Sequence, residues 1–127
     1  MILKEDFFHQ LGNWEQEWKR VLGQIPYPQG VLLWKGKLEA IHRLKTYFST
    51  HEPWIALEGY EYTPFIELFN QLEQTFEESK RSSLKNHQKD EVVFYQGMLE
   101  GVRQVRLHFE KLNYLTQKKK RWRGWFK

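Results

Sequence analysis

Apolar residues recur along this chain at steps of three and four. Leu3, Phe7, Leu11, Trp14, Trp18 and Val21 form one series, and Phe65, Leu68, Phe69, Leu72 and Phe76 form another. A third, Trp34, Leu38, Ile41, Leu44 and Phe48, is answered by a fourth, Tyr95, Leu99, Val102, Val105 and Phe109, which continues to Leu112. That spacing places the apolar side chains on one stripe of a 3.6-residue helix and predicts four amphipathic helices. The segment "GQIPYPQG" separates the first two, because its prolines and glycines cannot continue a helix. "STHEPW" breaks the chain in the middle, and the polar "SSLKNHQKD" separates the last two while allowing some helix within it. Thr63 and Pro64 read as the N-cap and first-turn residues of the third helix.

The second pair of helices repeats the first. Shifting the chain by 61 positions pairs residues 8–48 with 69–109 without a gap, and 11 of those 41 pairs are identical. Chance at ordinary composition gives roughly two or three. The identities include Phe8/Phe69, Leu11/Leu72, Gly36/Gly97, Leu38/Leu99, Glu39/Glu100 and Phe48/Phe109. The reading is a tandem duplication of one helical hairpin. Two hairpins can bury their stripes only against each other, which predicts an all-α, four-helix arrangement with a pseudo-twofold axis. The expected organisation is one duplicated domain over residues 1–117, copy one at about 1–62 and copy two at about 63–117, followed by a tail at 118–127.

Glycine in mid-helix costs about 1 kcal/mol relative to alanine, so Gly36 and Gly97 at matched positions need a compensating reason. Each is followed four residues later by another small residue, Ala40 or Gly101. These four residues predict a smooth seam where the second and fourth helices cross closely.

Charge changes the picture only at the C-terminal end. The chain carries 20 Lys and Arg against 16 Asp and Glu. The last ten residues, "KKKRWRGWFK", hold six of the basic residues and no acidic one, which leaves the remainder at 14 against 16. Lys118, Lys119, Lys120, Arg121, Arg123 and Lys127 are there interleaved with Trp122, Trp125 and Phe126. Such a segment suits docking on a protein, since Arg and Trp are enriched in interface hot spots. It also suits nucleic acid, where cations neutralise phosphates and rings stack on bases. An anionic membrane surface is a lesser fit, and a purely solubilising tail would not carry three large rings.

Catalytic chemistry finds little support. Glu39-Ala-Ile-His42 has the Glu-x-x-His spacing of a bundle metal site, but the matching segment is Glu100-Gly-Val-Arg103, and arginine does not ligate metal. The bland reading of these glutamates is an ion pair with Arg43 or Arg103. The repeated Glu-x-Lys-Arg, at Glu17–Arg20 and Glu78–Arg81, reads either as a matched pair of basic contacts for a partner or, the favoured reading, as the charged end of a first helix, where cations favour the dipole in the first copy. No nucleophile turn and no phosphate-cradling glycine loop occurs. No cofactor, metal or small-molecule substrate is therefore expected. With no cysteine, no apolar run of roughly 18 residues and acidic residues near the start of "MILKEDFFHQ", the expectation is a soluble, cytoplasmic protein without a leader.

The pattern aromatic-x-Gly-x-Leu-Glu-small-aliphatic, at Trp34–Ile41 and Tyr95–Val102, resembles small helical proteins encoded by tailed bacteriophages. That resemblance implies a virion or assembly component, or an early protein acting on a host target. The sequence thus leads to a non-enzymatic structural or adaptor protein that docks on a larger protein assembly through its tail, with nucleic-acid binding as the alternative. An internal pseudo-dimer lessens the need for a real dimer without forbidding one.

Overall fold

The computed structural model describes the backbone of residues 1–125 and the side chains of residues 1–119. In chain order the elements are β1 (Ile2–Leu3), α1 (Lys4–Leu22), α2 (Pro28–Thr50), α3 (Glu52–Ala56), β2 (Gly59–Tyr60), α4 (Tyr62–Lys85) and α5 (Lys89–Trp125). The protein is all-α in class, with four long helices, one short one and a single two-residue antiparallel ribbon among the described residues.

The prolines act where their chemistry predicts. Pro28 opens α2 at a position whose N–H would have no helical partner, and α1 closes at Leu22 before Gly23. The α4–α5 turn is tighter than its polar sequence suggests. α4 runs through Lys85, and the N–H groups of His87 and Gln88 donate to the carbonyls of Leu84 and Ser83 at 3.2 and 2.9 Å. That 5→2 and 6→1 pair is a Schellman cap, with His87 in the left-handed region at φ 58°.

Two expectations are corrected and a third is refined. Thr63 is not the N-cap of its helix. α4 begins at Tyr62 behind an extended Glu61, and the Glu61 carbonyl accepts the first helical bond from the N–H of Phe65 at 3.2 Å. Pro64 lies inside the first turn, where a missing N–H loses no bond, so the helix can start before it. Leu3 does not join the first apolar stripe; it lies in β1 and is largely exposed. Finally, the "STHEPW" break is structured. It forms α3 and leads into β2, which pairs with β1 in the register Ile2↔Tyr60 and Leu3↔Gly59. Gly59 is required there because a Cβ would overlap the Ile2 carbonyl.

α2 and α5 form the central pair, with α1 and α4 packed against them. Where they cross, a Cβ on Gly36 would strike the carbonyl oxygen of Phe94, and one on Gly97 would strike that of Leu33. Leu33 and Phe94 are separated by the same 61 residues as the two glycines. Ile41 and Leu44 of α2 and Val102 and Val105 of α5 continue the buried seam beyond the crossing toward the C-terminal ends of both helices.

At the end of the seam lies an aromatic cluster. Phe7 sits 4.7 Å from Phe48 and 5.5 Å from Phe109, and Phe65 is 5.4 Å from each of those two rings. Trp54 from α3 completes it, stacked on Tyr60 at 4.3 Å. Such pairs add about 0.5–1.5 kcal/mol each beyond the area they bury. The cluster ties the start of α1, the end of α2, α3, the ribbon and the start of α4 into one end of the molecule, called here the linker end.

Candidate functional site

α5 carries the predicted partner-binding residues as far as Trp125, and Phe126 and Lys127 lie outside the described residues. The helix stays in the core through Phe109, which is buried, and then leaves the bundle past the linker end. Leu112, Tyr114 and Leu115 beyond that point are exposed, as is Leu107 before it. Lys118 and Lys119 are exposed on the same helix, which crosses from residue 117 to 118 without a break. The side chains of Lys120, Arg121, Trp122, Arg123, Trp125, Phe126 and Lys127 lie outside the described residues. The four predicted seam residues are brought together at the α2–α5 crossing: Gly36 and Gly97 admit only backbone, and a Cβ on Gly101 would stand 3.0 Å from the Cβ of Ala40.

The charged residues weighed for chemistry are separated. Glu39 pairs with Arg43 at 2.9 Å, and His42 is exposed. Arg103 turns away from Glu100 and donates to Glu77 of α4 at 2.7 Å, while Arg106 donates to Glu73 at 2.9 Å. These pairs clamp α4 to one side of α5. Lys19 pairs with Glu15 near the end of α1, and Lys80 donates to Gln96 at 2.6 Å. Among the described residues no three His, Asp or Glu side chains converge as metal ligands.

On the face of α4 turned toward the end of α2 there is an open groove of about 400 Å³. Pro53, Leu57, Tyr60, Pro64 and Leu68 give it an apolar floor, and Glu61 and Glu67 stand at its rim. Two hydrogen bonds involve residues that line it. Tyr47 Oη donates to Gln71 Oε1 at 3.1 Å, and Tyr60 Oη lies 2.7 Å from His51 Nδ1. Burial pushes the Tyr60 phenol above its ordinary range, so the hydroxyl stays protonated through neutral pH.

No family model, curated protein or solved structure matches this chain. No helix among the described residues is long and apolar enough to cross a membrane.

Two features went unread in the sequence. Lys37 is buried, its Nζ 3.9 Å from the Trp34 ring centre and 4.7 Å from that of Trp18. Desolvation lowers its pKa, opposed by the charge of Glu100. A signal existed: Lys37 lies three residues after Trp34 and four before Ile41, on the apolar stripe, at the position matching Met98. The second is the acidic counterpart of the basic C-terminal stretch: residues 46–79 contain seven glutamates and no lysine or arginine, whereas residues 111–127 contain seven basic residues and no acidic one.

Proposed function

We propose that this chain is a non-enzymatic structural or adaptor protein that docks on a larger protein assembly through the C-terminal end of α5. The observation that carries this reading is the projection of α5. Its apolar residues Tyr114 and Leu115 are 63% and 42% exposed beyond the last core ring, alongside exposed lysines. A helix held out from its own bundle with large apolar side chains in water gains free energy by burying them on a partner. The reciprocal geometry of Gly36 with Phe94 and Gly97 with Leu33 supports a duplicated hairpin as the scaffold. The resemblance to phage-encoded helical proteins favours a virion or assembly complex as the kind of assembly. Deleting residues 118–127 and measuring what co-purifies with the chain tests the reading, and association unchanged by the deletion overturns it.

The second reading is nucleic-acid binding, favoured by the uninterrupted basic composition after Glu110. Each neutralised phosphate releases counterions, so this reading requires affinity that falls steeply with salt and capture that nuclease abolishes. Binding indifferent to salt rejects it.

A further inference from the structure

Resting on the reading of the α5 end as the docking element, we propose that its partner includes a second copy of this chain, whose acidic groove at the linker end receives it. Complementarity is twofold. The groove offers Leu57 and Pro64 beside Glu61 and Glu67, all exposed, and the projecting helix offers Tyr114 and Leu115 beside Lys118 and Lys119. Glu61 and Glu67 have no ion-pair partner among the described residues, so an incoming lysine displaces none of their contacts.

The helix cannot fill the groove of its own chain. Arg103 and Arg106 hold α5 along the side of α4 that presents Glu73 and Glu77, whereas Glu67 and Gln71 line the other side, toward α2. α5 is then continuous to Trp125, 16 residues past Phe109, which carries its end about 24 Å away from the cluster at 1.5 Å per residue. The helix and the groove belong to the same end of the molecule. We place the two copies about a twofold axis, each seating its helix in the other's groove, so that the pairing is isologous and closes as a dimer.

The test is the mass of the full chain by light scattering or sedimentation, at tens of micromolar and low salt. A particle of twice 15.6 kDa is expected, shifting to the single-chain mass as salt rises. The doubly substituted Glu61→Lys, Glu67→Lys chain and the Lys118→Glu, Lys119→Glu chain should each run as monomers with unchanged helical circular dichroism. An equimolar mixture of the two should recover the dimer, because every contact in the mixed pair again joins opposite charges. A wild-type chain that stays monomeric overturns the self-association, as does a dimer that neither variant weakens. Should the monomeric chain still lose its co-purifying partner on deletion of 118–127, the α5 end remains the docking element and only the second copy is excluded. A dimer that survives that deletion counts against both.

Discussion

A methyl group placed on Gly97 would stand 3.1 Å from the Cα of Gly36 and 2.9 Å from the Leu33 carbonyl carbon. The two glycines therefore bring α2 and α5 together backbone to backbone, and neither helix has a flexible side chain at the contact that could yield.

Gly36→Ala and Gly97→Ala are each expected to destabilise the fold by about 2–3 kcal/mol in chemical denaturation, overpacking outweighing the gain in helix propensity. Gly12→Ala in α1 should do the opposite. Nothing lies within 4 Å of its added Cβ, so only propensity changes and stability should rise by about 1 kcal/mol. A stable Gly97→Ala protein would mean that the crossing is looser than described.

Lys37→Met places at this position the residue found at its counterpart, Met98. The change removes the burial of a charge and forfeits the cation–π contacts with Trp34 and Trp18. Since desolvation is the larger influence on Lys37, the variant is expected to be the more stable protein at pH 7. The folded pKa is lowered, so the unfolded chain holds this proton to higher pH than the folded one. Wild-type stability should therefore gain on that of the variant as pH rises toward 10.5. Both proteins share Tyr60 and Tyr62, whose raised pKa values act in the other direction at high pH and cancel in the comparison. A stability difference constant with pH would contradict the placement of Lys37.

His108 packs against the Trp14 ring at 5.0 Å in an edge-on contact. Burial holds its pKa below 6.5, and Lys111 adds to the effect. The unfolded chain then takes up the proton first as pH falls, and stability declines below about pH 6.5 until the folded imidazole also protonates. His108→Phe should flatten this limb, seen in thermal midpoints between pH 4 and 7.

His87 holds φ 58° at the Schellman turn, a conformation that strains any side chain with a Cβ. His87→Gly should raise stability by about 1 kcal/mol, whereas His87→Val should lower it, read from denaturant midpoints at constant slope. Equal midpoints for the two would show that the turn adopts another conformation.

The helical class of this protein is written in its sequence, because period-3.6 apolar stripes are local and survive without knowledge of what covers them. So are the breaks at Pro26, Pro28 and Pro53, whose rings act on their own backbone. Gly36, Ala40, Gly97 and Gly101 were legible as small residues, but which backbone atoms they admit depends on α2 meeting α5. The place of Lys37 on the apolar stripe was legible, but its enclosure was decided by tertiary structure, since the two tryptophans around it come from different helices. Tertiary structure alone started α4 before Thr63 and paired Ile2 with Tyr60 across 58 residues, because hydrogen bonds of so short a ribbon leave no periodic trace. The basic and acidic stretches could be counted along the chain. That a projecting helix and an acidic groove share one end follows only from the path of the folded backbone.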